Sequence, residues 1–165
     1  MPGTVRHQFP FLSAGQAQKE LIHNEALALI DIAAGAAVVS AGNETPPATP
    51  QAGQCWIVGD APAGGWVGQA GAIACWSGNG WRFLPPVEGM RARVLDLKLD
   101  AVREQGVWRI GPVDALSVEI EGMQVVGTRQ PAIADPAGGG VIDIEARAAI
   151  AALLAGLRTH GLIAT

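Results

Sequence analysis

Apolar side chains recur at helical intervals over residues 16–38: Leu21, Ala28 and Gly35 form one stripe, and Ile22, Leu29 and Ala36 form the neighbouring one. The spacing predicts a helix there. Its start is predicted at Ser13, where Ser13-Ala14-Gly15-Gln16 makes a capping box: the serine hydroxyl accepts from an orphan amide and the glutamine side chain reaches back. Leu12, just outside the cap, is placed to pack on Ala17. Polar residues thin out after Asp31, so the alanine-rich end over 32–37 is expected to be covered on several sides.

Further on, the period shortens to two. Pro46, Pro47 and Pro50 withhold amide donors within 42–51, which makes that segment a linker or extended loop. Strands are predicted at 54–58, near Trp66, at 72–76 and at 81–84, and Ser77-Gly78-Asn79-Gly80 is a hairpin signal between the last two. A second strand-rich stretch has candidates at 91–99, 107–110, 117–120 and 124–126. Within it Leu95, Leu97 and Leu99 alternate with Asp96, Lys98 and Asp100, the period of a strand with one wet face. Gln130-Pro131 and Asp135-Pro136-Ala137-Gly138-Gly139-Gly140 predict a hinge. The helical period then returns, with Asp143 as N-cap, Glu145 at the positive end and Gly161 able to close the helix in a left-handed conformation.

These elements describe an α+β chain: an N-terminal helix, a small tryptophan-rich antiparallel β module, a second β region and a hinged C-terminal amphipathic helix. The expected divisions are 1–41 for the helical segment, 42–51 for the proline-rich linker, 52–89 for the tryptophan module, 90–134 for the second β region, and 135–165 for hinge and final helix.

Composition sharpens this picture in one respect. With 165 residues, the chain can bury roughly 70% of its unfolded surface without disulfide staples. Apolar residues make up 49% and charged residues 16%, against about a quarter charged in ordinary soluble domains, so part of the apolar excess is expected to meet another subunit. The 11 Lys and Arg residues are scattered from Arg6 to Arg158 and the formal charge is −4, which leaves no basic stripe for nucleic acid. No run approaches the ~18 apolar residues of a membrane span, and the first six residues do not lead into a secretory signal. The expectation is a protein made in a bacterial cytoplasm, with no nucleic-acid partner and no membrane span.

Little of the chain reads as catalytic. Cys55 and Cys75 each adjoin a tryptophan in a strand-like run and are expected as buried thiols rather than a disulfide. His7, His23 and His160 are far apart and no Cys-x-x-Cys spacing exists, so no metal site is expected. His23-Asn24-Glu25 lies on consecutive helical positions that point in different directions, which makes a surface or interface role the better reading. Asp96 and Asp100 sit in a strand pattern, which gives paired-carboxylate catalysis little support. The glycine run at 138–140 lacks the Lys-Ser or Lys-Thr of a phosphate loop and is read as a hinge. Neither a catalytic residue nor a cofactor is assigned, and the chain is read as no enzyme.

Two constellations remain. In the last helix Ala146, Ile150, Leu153, Leu154 and Leu157 make one apolar stripe, which either docks on the chain's own β region or self-associates. The preceding glycines favour self-association, making Ile150, Leu153, Leu154 and Leu157 the candidate interface. Trp56, Trp66, Trp76, Trp81, Phe83 and Trp108 carry nearly all the aromatic content. Trp56, Trp76 and Trp81 are expected as core, since little else is large enough to fill a small β module. Trp66, on a glycine-rich turn, and Trp108 are the candidate glycan contacts.

The motifs Phe11-Leu12-Ser13-Ala14-Gly15-Gln16-Ala17-Gln18-Lys19-Glu20, His23-Asn24-Glu25-Ala26-Leu27, Gly53-Gln54-Cys55-Trp56-Ile57-Val58-Gly59, Ala70-Gly71-Ala72-Ile73-Ala74-Cys75-Trp76, Gly80-Trp81-Arg82-Phe83 and Pro86-Val87-Glu88-Gly89 resemble an uncharacterised domain family of alphaproteobacterial prophages and gene transfer agents. The resemblance covers about the first ninety residues. At the other end Ile142-Asp143-Ile144-Glu145-Ala146-Arg147-Ala148-Ala149-Ile150 and His160-Gly161-Leu162-Ile163 are similar to tail ends of the same proteins.

What the resemblance implies is a particle appendage, a tail fibre or a head spike that helps a gene transfer agent bind capsular polysaccharide, and most closely the base of a head spike. Cys55 and Cys75 depart from that pattern, and the lack of a long fibre domain points to a base or adaptor. The partners implied are further copies of this chain, as a trimer or pentamer, other capsid, spike or fibre proteins, and host capsular polysaccharide. The expected location is the surface of a phage-like particle. The rival expectation is a carbohydrate-binding module that contacts host polysaccharide directly.

Overall fold

The structure is a computed structural model and describes residues 9, 10, 12, 15, 17–141 and 143–165. It divides into a first unit, Met1–Pro112, and a second, Val113–Thr165. The architecture is mixed α+β, with an N-terminal helix, a tryptophan-rich strand region and a C-terminal helix.

In the first unit, helix α1 spans Lys19–Ala34. Gln18 is its N-cap, in a left-handed conformation and with no side-chain cap bond, so the helix starts later than the capping motif suggests. The predicted cap residues Ser13, Ala14 and Gln16 lie outside the described residues. Of the two stripes, the one through Ile22 and Leu29 faces inward, while Leu21 and Gly35 are exposed. Cover at the alanine-rich end is one-sided: Ile32 is buried and Ala34, Gly35 and Ala37 are exposed. The helix stops at Gly35 instead of running to 38 because a sheet claims the next carbonyls. Arg93 donates its N–H to Ala36 O at 2.8 Å and Leu95 donates to Val38 O at 2.9 Å.

Those bonds place β1 (Ala37–Val38) parallel to β6 (Arg91–Val94), which continues antiparallel into β7 (Leu99–Glu104) and β8 (Val107–Ile110). The chain turns at Val39 and Ser40 into a second four-stranded sheet, ordered β2 (Ala41–Asn43), β3 (Cys55–Val58), β4 (Ile73–Trp76) and β5 (Trp81–Leu84). Val39 N–H to Cys55 O at 2.7 Å and Ile57 N–H to Ser40 O at 3.1 Å hold that corner.

Alternation then sorts the side chains of β3, β4 and β5. The register sets Cys55 opposite Cys75 and Arg82, and Ile57 opposite Ile73 and Leu84, on one face. This face joins Leu29 and Ile32 of α1 and Val38, Met90, Ala92, Val94 and Ala101 of the other sheet in the main core. Glu25 of α1 reaches the same face as an ion pair to Arg82, 2.8 Å apart. The opposite face carries Trp56, Val58 and Ala74, and a single 3₁₀ turn, Gly64–Trp66, folds Trp66 beneath it to form a second core with Trp76, Trp81 and Phe83 around it. The strand predicted near Trp66 is therefore a turn.

The alternating segment 95–100 is a hairpin connection, not a continuous strand. Val94 pairs with Leu99, so 95–98 are left as the loop, with Lys98 at φ +55° and Asp96 Oδ1 accepting from Leu97 N–H at 2.7 Å. Leu95 and Leu97 are exposed there. A turn can mimic strand period because alternation says nothing of where a ladder ends.

In the second unit β9 (Val118–Ile120) and β10 (Met123–Val126) form a two-stranded ribbon closed by Glu121 and Gly122, both at positive φ, the primed turn that suits strand twist. Helix α2 spans Ile144–Thr159. Asp143 caps it as the sequence predicts, its Oδ1 accepting from Ala146 N–H at 2.9 Å. Gly161, at φ +72°, lets Leu162 N–H turn back to Leu157 O at 3.0 Å and its own N–H reach Arg158 O, satisfying two terminal carbonyls. The chain before the helix is tied to it: Gln130 bridges to Ile163, Arg158 bonds Asp135 and Ile133 O, and Arg147 donates to Gly138 O. The glycine run is thus bonded to the helix that it precedes. Among the described residues no helix is long and apolar enough to cross a membrane.

Candidate functional site

The inner face of the sheet formed by β1, β6, β7 and β8 carries an arginine, Arg103, among hydrophobic side chains. On that face Ala92 stands opposite Ala101 and Ile110, and Arg103 stands opposite Trp108. The Arg103 guanidinium carbon lies 6.0 Å from the Trp108 ring centroid, a cation–π contact. Trp108 Nε1–H donates to Gly71 O at 2.8 Å, which fixes the ring's orientation against the loop entering β4. Gly71 fits because it sits at φ +71°, and because a Cβ there would come within 2.9 Å of Arg103 Nη1.

Around this pair opens a cleft of about 290 Å³, with Ile57 and Ile110 on its apolar floor and Glu44, Asp60, Arg103 and Trp108 as its chemically distinctive lining. Glu44 follows β2 and Asp60 follows β3, so loops at one end of the β2–β5 sheet supply the acids, and β7 and β8 of the other sheet supply the arginine and indole. Gly59 closes the approach of those loops, since a Cβ there would lie 2.7 Å from Gly42 O. The volume is at the small end of ligand clefts, roughly 300–1,000 Å³. Among the described residues Arg103 forms no ion pair, so its donors are available to a ligand. One guanidinium, two carboxylates and an indole suit a small molecule rich in hydroxyls, with an apolar face for the ring.

Of the two candidate glycan contacts, Trp108 lines this cleft, half-buried, and Trp66 does not. Trp66 is 0% exposed. Its ring meets Trp81 edge-on at 5.1 Å and Trp56 at 6.4 Å. A ring enclosed on all sides cannot stack on a sugar, so Trp66 joins Trp56 and Trp81 as core. The glycines flanking it are what allow the turn to tuck the ring inward. Its Nε1–H is buried without a hydrogen-bond partner, one polar cost of that enclosure.

The candidate interface on α2 also separates. Arg147, Ala151, Leu154 and Arg158 form the covered stripe, with Leu154 only 7% exposed. Ile150, Leu153 and Leu157 are exposed, and with Ala146 they make the neighbouring stripe, one position round the helix. Leu154 is therefore buried while the other three remain on the surface. A second apolar surface, unmarked in the sequence reading, lies on the ribbon. Register places Ile120 opposite Met123 and Val118 opposite Val126 on one face, with Glu119 and Gln124 on the other, and all four apolar residues are exposed, Ile120 by 58%. Alternation over 118–120 was the signal that could have found it. Arg103, Glu44 and Asp60 had no such signal, because the three come from distant segments.

His23 is exposed on α1, and its neighbour Glu25 serves the Arg82 ion pair. Among the described residues no three or more His, Cys, Asp or Glu groups lie close enough to hold a metal ion. A family described as a protein of unknown function (DUF2793) matches residues 23–109, a stretch that holds all of both sheets and of the cleft lining except Ile110. No curated protein matches the chain.

Proposed function

The chain belongs to the DUF2793 family, and from that premise we propose that it is a structural component of a phage-like particle of the gene transfer agent type. In this reading it is the base or adaptor of a head spike or tail fibre, made in a bacterial cytoplasm and carried on the particle surface, where it helps attach the particle to the host capsule. Residue motifs of the first ninety positions, which resemble particle appendages, support the origin. The observation that carries an assembly role is the exposed apolar surface of the second unit: the ribbon face of Val118, Ile120, Met123 and Val126 and the helix stripe of Ile150, Leu153 and Leu157. An isolated two-stranded ribbon is marginal in water, and patches of this kind mark surfaces that a partner covers. Further copies in a trimer or pentamer, or a neighbouring spike or fibre protein, would cover them and supply the many weak sites that avidity needs.

The test is Leu153→Asp combined with Leu157→Asp. The variant should fall to monomer mass by light scattering or lose its distal partner from purified particles. Unchanged mass together with normal particle composition would sink the assembly role.

A second reading, direct contact with host polysaccharide, is favoured by the cleft at Trp108 and Arg103. Titration of the full chain with capsular polysaccharide should change tryptophan emission, and Arg103→Ala should abolish the change. A flat titration leaves attachment to another component.

A further inference from the structure

Cys55 and Cys75 stand directly opposite one another on neighbouring antiparallel strands. The ladder bonds run through Gln54 and Trp76, one position away, and through Val58 and Ala72, three positions away: Trp76 N–H donates to Gln54 O at 2.9 Å and Val58 N–H to Ala72 O at 3.0 Å. Alternation then makes Cys55 and Cys75 a non-hydrogen-bonded pair, the kind in which Cα atoms approach to about 4.5 Å and side chains are closest. A disulfide spans Cα separations of roughly 4.4–6.8 Å. Both thiols are free, and both point to the face that packs on the main core.

We propose that Cys55 and Cys75 form a dithiol modification site that closes into a cross-strand disulfide by exchange with a low-molecular-weight disulfide of the glutathione class. The two cysteines are unequal in a way that orders the steps. Cys75 is half-buried and Cys55 is buried, so the reagent enters at Cys75. The neighbouring Cys55 thiol holds the Cys75 thiol below its ordinary range, against the opposing effects of burial and Asp31. Cys75 in turn raises Cys55, reinforced by burial and by Asp31. Access orders the pair, Cys75 meeting the reagent first and Cys55 standing behind it.

The Cys75 thiol gives its proton to solvent, and its thiolate attacks one sulfur of the reagent, breaking the reagent's S–S bond to form a mixed disulfide and a reagent thiolate that takes a proton back from solvent. Cys55 then gives its proton to the departing thiolate, and its sulfur attacks the Cys75 sulfur to release the second thiol. Two protein thiols and one reagent disulfide become one protein disulfide and two reagent thiols, with two electrons passed to the reagent. In a reducing cytoplasm the pair stays open, and in an oxidising medium it clasps β3 to β4 at the centre of the first unit. The inference does not depend on the particle role.

The test is incubation of the full chain with glutathione disulfide, read by intact mass, thiol count and non-reducing peptide mapping. Both thiols should disappear together in a product of single-chain covalent mass two hydrogens lighter, with Cys55 and Cys75 recovered in one linked peptide and Tm raised by about 5–10 °C. Cys55→Ser should accumulate glutathione on Cys75, and Cys75→Ser should react at least about tenfold more slowly, as a buried thiol does. Retention of both thiols, a stable glutathione adduct on the unsubstituted chain, or a disulfide between two chains would overturn the proposal. The unsubstituted protein decides the matter even where a variant fails to fold.

Discussion

The two units treat the same pattern differently. On β3, β4 and β5 the alternation of side chains fills a core on each face, one shared with α1 and the other sheet, one packed with tryptophan. On β9 and β10 an equally regular alternation produces an apolar face of Val118, Ile120, Met123 and Val126 that stays in solvent. Likewise α1 buries Leu29 and Ile32, whereas α2 buries Leu154 and leaves Ile150, Leu153 and Leu157 out. Amphipathic pattern is thus a promise of cover, kept on both faces of β3, β4 and β5 and only in part on β9, β10 and α2. The first unit encloses apolar side chains on both faces of one sheet, and the second leaves the ribbon face and the stripe of Ile150, Leu153 and Leu157 exposed.

The sharpest way to break this contrast is Trp66→Ala. Removing a fully enclosed indole should cost about 3–5 kcal/mol, a large part of the ~5–15 kcal/mol that holds an ordinary domain folded. All five tryptophans lie before Pro112, so denaturant unfolding followed by tryptophan emission reads the first unit directly. A loss under about 1 kcal/mol would mean that this core is slack. Next is a paired comparison on α2. Leu154→Ala should cost about 2–3 kcal/mol and speed hydrogen exchange along Ile144–Thr159, while Leu153→Ala, at 69% exposure, should change exchange little when the chain is dilute. Equal effects would erase the distinction between covered and open stripes. The smallest effect is expected from Glu25→Gln, which breaks the Arg82 ion pair. Its members are each more than a third exposed, so solvent screening limits the loss to about 0.2–1 kcal/mol by thermal unfolding.

Several local features were readable before any fold existed. Asp143 caps α2 and Gly161 closes it, because a cap depends on three or four neighbouring residues. The hairpin between Ile73–Trp76 and Trp81–Leu84 was equally plain from its glycines and flanking tryptophans. Trp66 was harder: a glycine-rich turn exposes or encloses its tryptophan according to what lies opposite, and what lies opposite is Trp81, fifteen positions later in the chain. Leu154 raised the same difficulty on a helix, where one residue's rotation separates the covered stripe from the open one.

The cleft was the least legible feature. Arg103 is an ordinary polar residue in an alternating strand until register places it across from Trp108 and beside Gly71.

The amino-acid sequence by itself determined the α+β class, the two caps of α2, the hairpin turn at 77–80 and the two periods, since each is settled by steric and hydrogen-bonding preferences acting over a few residues. Tertiary structure alone decided which face of each element meets another, that Cys55 would face Cys75, and that Glu44, Asp60, Arg103 and Trp108 would share one cleft. Those outcomes depend on strand register and on the corner at Val39 and Ser40, through which residues distant along the chain are brought together by burying a common core.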